Sequence, residues 1–266
     1  MGRGTHRGFI TYEELSKSLG NSPDPIELFN EFGTDAVRFG IMLMAPQGLD
    51  VLFSKERLEI GRNFMNKLWN ACRFISMNKP DNWSEKYSPK PEELKLPDKW
   101  ILSRLNQAIE KYNYQLERFH FNEAAKVLYD FTWNDFCDWY IEFSKSLLKD
   151  ENENTAQETR KTLAWAFEAC LKMLHPIMPF VTEELWRHLR KDEGLLSNSN
   201  WPKINNISID EDQVKNIENV ISFIEDIRST KSDFNLLSGE KTELYVVDLQ
   251  TEQNAYIQKN EKIICR

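Results

Sequence analysis

Cysteine, chain breakers, long apolar runs and net positive charge are all scarce in this 266-residue chain. The four cysteines, Cys72, Cys137, Cys170 and Cys265, stand far apart with no C-x-x-C pair. That spacing excludes a disulfide framework and the common zinc motifs, and leaves reduced, mostly buried thiols. Four histidines without ligand spacing add no metal signal. No stretch approaches the roughly 20 apolar residues that cross a bilayer, and no secretory leader is recognisable. A cytoplasmic protein is therefore expected. Ten glycines and ten prolines are few for this length and favour long helices over many short strands. The formal net charge of -8 excludes indiscriminate coating by nucleic acid, so an RNA-binding role requires a local basic face.

What the chain does hold is apolar and aromatic mass. Hydrophobic residues make up 41%, with 16 Phe and 8 Trp, enough for wide helix–helix interfaces. Residues 1–6 read as an added leader, and 7–21 as a loop. Asp24-Pro25-Ile26-Glu27 predicts a short helix: Asp24 as N-cap, Pro25 at the first helical position, Glu27 closing a capping box, and Gly33 ending it. Ala36, Val37, Gly40, Ile41 and Met44 mark a second helix, broken at Pro46-Gln47-Gly48. Ser54 opens a long helix over about 55–77, with Leu58, Gly61, Met65, Leu68 and Cys72 forming its buried stripe. Residues 78–96 read as a surface connection. Further helices are predicted over about 97–117, 122–148, 156–174 (capped by a Thr155/Glu158 box), 180–190 and 211–230. A strand is expected at 244–247 and a last helix at 251–266. The terminal Ile263-Ile264-Cys265 lacks a later apolar partner, so the natural polypeptide is expected to continue. The fold class is mainly α: an antiparallel helical bundle (51–210), preceded by a loop and short helical linker segment (1–50). A truncated small α/β piece (211–266) follows.

The helix over 55–77 carries the candidate binding face. Residues 55–73 hold Lys55, Arg57, Arg62, Lys67 and Arg73 against Glu56 and Glu59, a local net charge of +3. Asn63, Lys67, Asn70 and Phe74 share one side of the helix, with Arg62, Asn66 and Arg73 beside it. Amides that read base edges, cations that meet phosphate and an aromatic ring suit unpaired nucleotides. A solvated helix face with Phe74 in the core is the alternative. Asp135, Asp138 and Glu142 recur at helical spacing, and read better as ion-pair partners than as an acid–base pair. Trp133, Trp139 and Trp186 read as core, and His175 as a packing or capping residue.

Ser16, Lys17 and Ser18 combine hydroxyls and a mobile cation in a flexible loop suited to phosphate. In isolation that string equally describes a solvated loop. ELSKSLGNSPDP followed by FGTDAVRF resembles the KMSKS signature region of class I aminoacyl-tRNA synthetases. Two positions depart from it, Glu14 for the first Lys and Leu15 for Met. GRNFMNKLWNACRF, DFCDWYIEFSK and HPIMPFVTEELW resemble the anticodon-binding half of the valine type. The resemblance covers roughly residues 7–230. It implies tRNA(Val) as partner, tRNA contact through Arg62, Asn63, Asn66, Lys67, Asn70, Arg73 and Phe74, and ATP with Mg2+ as the whole enzyme's cofactors. Ser16, Lys17 and Ser18 would meet the ATP phosphates. The nucleotide-binding fold with its HIGH motif and the editing domain have no counterpart in this sequence. A monomeric, non-catalytic part with no bound cofactor is therefore expected. An isoleucine- or leucine-type synthetase, or a stand-alone helical RNA-binding or scaffold protein, are the alternatives.

Overall fold

The computed structural model describes residues 22–48, 53–80, 89–90, 92–150, 152–190, 194–204 and 211–236, with Trp83, Glu243, Tyr245 and Gln258. The helices run α1 Pro25–Phe32, α2 Thr34–Met44, α3 Lys55–Asn78, α4 Leu96–Glu117 and α5 Phe121–Asp130. They continue with a π-helical segment Phe131–Tyr140, α6 Ile141–Leu147, α7 Glu153–Leu174, α8 Pro179–Leu189, a 3-10 turn Leu196–Asn198 and α9 Glu211–Asp233. No strand occurs among the described residues. The strand and helix expected at 244–247 and 251–266 fall almost wholly outside them, as does the loop with Ser16, Lys17 and Ser18.

Local chemistry sets the ends of α1. The Asp24 carboxylate accepts from the Ile26 amide at 2.8 Å, Pro25 fills the first turn, and Gly33 takes φ +92° to break the helix. The start of α7 differs from expectation. Asn152 is its N-cap, accepting from the amides of Asn154 and Thr155, so the helix begins at Glu153. Thr155 and Glu158 are buried inside it, and Glu158 pairs with Lys161 instead of capping. The single helix expected over 122–148 is continuous in direction, but its middle ten residues are π-wound. Such a segment widens the helix and shifts the facing of its side chains.

One apolar core runs through the bundle. Phe64, Leu68, Ile75, Trp100, Leu105, Phe136, Tyr140, Phe167 and Trp186 are all fully or almost fully buried. Phe39 of α2 and Ile217, Val220 and Ile224 of α9 enter the same core, so the linker and α9 pack onto the bundle. Cys72, Cys137 and Cys170 are buried free thiols, and burial pushes Cys72 up to about 11. Helices α2 and α3 cross at two glycines. A Cβ on Gly61 would sit 2.4 Å from the Ala36 carbonyl oxygen, and one on Gly40 2.7 Å from the Leu58 side chain.

The most deeply buried charged groups of the core have partners. The Arg190 guanidinium donates twice to buried Glu168, at 2.7 and 2.8 Å, and Trp83 donates to the same carboxylate at 2.6 Å. This ties the 79–95 connection to α7 and α8. Asp98 is fully buried at the start of α4, accepting from the Tyr140 hydroxyl at 2.6 Å and the Thr159 hydroxyl at 3.0 Å. Burial pushes its carboxyl up to about 6, against the pull of those hydroxyls and the Lys95 amide. A carboxyl whose folded pKa lies above its unfolded value stabilises the fold most when protonated. Its contribution is present below about pH 4 and is lost as pH rises through about 6. Urea unfolding of the wild type should therefore show a favourable contribution from this group on lowering pH from 7 to 5. Asp98→Asn should flatten that part of the slope, by on the order of 1 kcal/mol.

Candidate nucleic-acid interface

The candidate face lies on α3, which crosses the bundle between α2 and α8. Arg62, Asn63, Asn66, Asn70 and Arg73 are exposed. Arg62 and Arg73 have no carboxylate partner among the described residues. Lys67 is only partly exposed. It forms an ion pair with Asp138 on the π segment, and its ammonium lies 5.0 Å from the centre of the Trp133 ring. Any phosphate reaching Lys67 would compete with Asp138. Phe74 is half-buried and packs on the main core. Its ring is not a free stacking platform, and the placement combines both readings of that residue: apolar packing with one edge at the surface.

The carboxylates of the π segment, Asp135 and Asp138, and Glu142 of α6 are all in ion pairs. Asp135 is salt-bridged to Arg104 at 2.9 Å, Asp138 to Lys67, and Glu142 to Lys145. Burial pushes Asp135 up, while the Arg104 guanidinium pulls it back. None of the three is set against another as an acid–base pair. Trp139 and Trp186 are buried, as expected, whereas Trp133 is only partly so, stacked on Tyr129 with ring centres 5.4 Å apart. His175 hydrogen-bonds through Nδ1 to the Thr182 hydroxyl at 2.8 Å, a packing role.

Helix α3 has a second exposed aromatic. Trp69 is 40% exposed, and the His188 ring of α8 meets it edge-on with centres 5.2 Å apart. The sequence carried a signal for it: Trp69 lies outside the buried stripe and in line with Arg62, Asn66 and Arg73. Between α2, α3 and α8 runs a surface groove of about 310 Å³ lined by Thr34, Asp35, Met65, Trp69, Phe180 and Val181. Its geometry depends on α2. Asp35 Oδ2 accepts from the Val181 amide at 2.6 Å, capping α8 from another helix. One turn on, Arg38 donates to the carbonyls of Ile177 at 2.8 Å and Pro176 at 3.1 Å. Burial pushes the Asp35 carboxyl up, and the Val181 amide and Arg38 charge hold it back.

A family model described as the anticodon-binding domain of tRNA ligase matches residues 98–246. The chain belongs to that family. The chain is 39% identical over 248 residues to the valine–tRNA ligase of Pseudothermotoga lettingae, covering 92% of this chain and 28% of that protein. It is 36% identical over 253 residues to the valine–tRNA ligase of Bacillus cereus, covering 95% and 29%. The chain thus spans little more than a quarter of the relatives' length. So few of its residues stay unaligned that α3, although ahead of the family match, lies within the shared stretch. Among solved structures, the ternary LeuRS–tRNA–LeuAMS complex of Agrobacterium radiobacter K84 superposes with a TM-score of 0.54 at 25% identity. That match covers 75% of this chain and 22% of that one. The methionyl-tRNA synthetase of Mycobacterium tuberculosis shares the fold, with a TM-score of 0.51 at 24% identity over 64% of this chain and 34% of that one.

Removing the Asp35 carboxylate of α2 uncaps α8 and leaves Arg38 without its neighbour. Asp35→Ala should lower unfolding free energy by about 1–2 kcal/mol, and Asp35→Asn by less, because the amide oxygen still accepts. Thermal and urea unfolding of both variants test this; equal stability of Asp35→Ala and wild type would refute the capping role.

Proposed function

We propose that the chain is the tRNA(Val)-binding, anticodon-recognising part of a valine–tRNA ligase, and that the outward face of α3 receives the RNA. The observation that carries the proposal is that face: two exposed guanidiniums, Arg62 over the Phe32 ring and Arg73, with no carboxylate partner among the described residues, and three exposed amides, Asn63, Asn66 and Asn70. Guanidiniums of this kind meet phosphate, and amides pair with base edges. The whole chain carries -8 although residues 55–73 carry +3, so the remainder carries -11 and would steer RNA toward this surface and away from the rest. Lys67 is a weaker carrier because Asp138 already neutralises it, and Phe74 supports the face mainly from beneath. Valine specificity is favoured by 35–40% identity to valine–tRNA ligases, against 25% to the LeuRS complex.

In the whole ligase, the valine carboxylate would attack the α-phosphorus of ATP to give an adenylate and pyrophosphate, and the tRNA terminal ribose would then take the acyl group with release of AMP. Ser16, Lys17 and Ser18 are proposed to lie near the ATP phosphates, with Mg2+ supplied with the nucleotide. Lys17 is the one cation in the sequence 13–18, which also holds Glu13 and Glu14, a donor set too poor to hold a triphosphate unaided. The catalytic and editing domains of such an enzyme are proposed partners, and a cytoplasmic monomer is the proposed state. The chain alone should give no valyl-tRNA when mixed with valine, ATP and tRNA(Val); charged product would refute its assignment as a binding part.

Binding of a tRNA(Val) transcript measured across a salt series tests the interface itself. Arg62→Ala and Arg73→Ala should each reduce the slope of log affinity against log salt by about 1. Lys67→Ala should change it less. Unaltered slopes in both arginine variants, or preference for a non-valine transcript, would overturn this proposal.

A further inference from the structure

We infer that the groove between α2, α3 and α8 is a stacking site for one unpaired nucleobase of the RNA, with Trp69 as its platform and Phe180 as its opposite wall. The inference rests on the tRNA-binding reading of α3 and deepens it. Phe180 at the first turn of α8 is 66% exposed and Trp69 is 40% exposed, large apolar surfaces left open beside cations. His188 braces the indole edge-on, so the ring is held in place before any ligand arrives. Met65 and Val181 complete an apolar lining in a groove of about 310 Å³.

Charge around the groove points to nucleic acid over an apolar peptide. Arg62 lies two turns before Trp69 and Arg73 one turn after it, in line along α3 and both without a carboxylate partner among the described residues, so a phosphate chain following the helix meets a cation on either side of the stacked base. The acidic residue on the exposed side of α8, Glu184, is matched by Arg187 at 3.8 Å and His188 at 3.7 Å. The acidic residues of α3 itself, Glu56 and Glu59, lie toward its N-terminal end, beyond Arg62.

Asp35 adds a polar feature at the groove. It is 3% exposed, its Oδ2 is used by the Val181 amide, and its Oδ1 makes no hydrogen bond. That acceptor is sealed from solvent, so the base is held by stacking and not by its edge.

Fluorescence anisotropy with the full chain tests this, using labelled tRNA(Val) transcript and labelled cytidine and uridine 12-mers at one salt concentration. Trp69→Ala should weaken tRNA binding about 5- to 100-fold, without changing the salt slope. Trp69→Phe should recover most of the loss, and Phe180→Ala should give a smaller loss in the same sense. Both the cytidine and the uridine 12-mer should bind the wild type more tightly than Trp69→Ala. Unchanged thermal unfolding of Trp69→Ala would exclude a folding defect, and Trp69→Phe provides the second readout if Trp69→Ala is unstable. Wild-type affinity for tRNA in Trp69→Ala overturns the inference while leaving the tRNA-binding role intact. The same result accompanied by altered sedimentation would assign the groove to protein association. Failure of the wild type to bind tRNA at low salt overturns both.

Discussion

Two side chains one helical turn apart hold this molecule's working surface together. Asp35 presents an anion to the N-terminus of α8, where free amides carry partial positive charge. Arg38 presents a cation to the carbonyls that follow the C-terminus of α7. A single turn of α2 thus satisfies both ends of the sharp α7–α8 connection, 138 to 146 residues away in sequence. The strings containing these residues, FGTDAVRF and HPIMPFVTEELW, are complementary parts of one joint. Pro176 and Pro179 make the turn abrupt, and the carboxylate and guanidinium absorb the polar groups it would otherwise strand.

That joint fixes where α3 can lie. Helix α2 crosses α3 where Gly61 lets the backbone of Ala36 approach within contact distance, and α8 flanks α3 on another side. The apolar stripe of α3 is then committed inward, with Leu58, Phe64, Leu68 and Ile75 fully buried. The arginines and asparagines have no route except outward. The positive surface of an acidic protein is in this sense a by-product of core packing, with steering by charge added on top. Lys67 shows the same logic in reverse: the π segment brings Asp138 beside it and removes its charge from the free pool.

Buried charge is used sparingly and always with partners. Glu168 and Arg190 form a two-pronged pair that also receives Trp83, and Asp98 gathers hydroxyls from the π segment and α7. Such groups contribute little net stability compared with apolar packing, but removing one partner is expensive because the other is left buried. They specify how the helices register against one another, while the aromatic mass supplies the driving force.

Much of the architecture was legible in the residues alone. The three- and four-residue spacing of Leu58, Gly61, Leu68 and Cys72 reports a helix and its buried side, and Asp24 and Gly33 mark ends through local hydrogen bonding and backbone freedom. Family resemblance in HPIMPFVTEELW agreed with the anticodon-binding match, and RNFMNKLWNA, ahead of that match, falls in the stretch shared with valine–tRNA ligases. The N-cap of α7 was misplaced because Asn152 and Thr155 are both able to cap, and burial of Thr155 decided between them. The winding of 131–140, the ion pair that occupies Lys67, the half-burial of Phe74 and the exposure of Trp69 all depend on which helix lies opposite. Periodicity gives a residue's angle about its own helix axis, but only the neighbouring helices determine whether that angle meets solvent, an aromatic ring or a carboxylate.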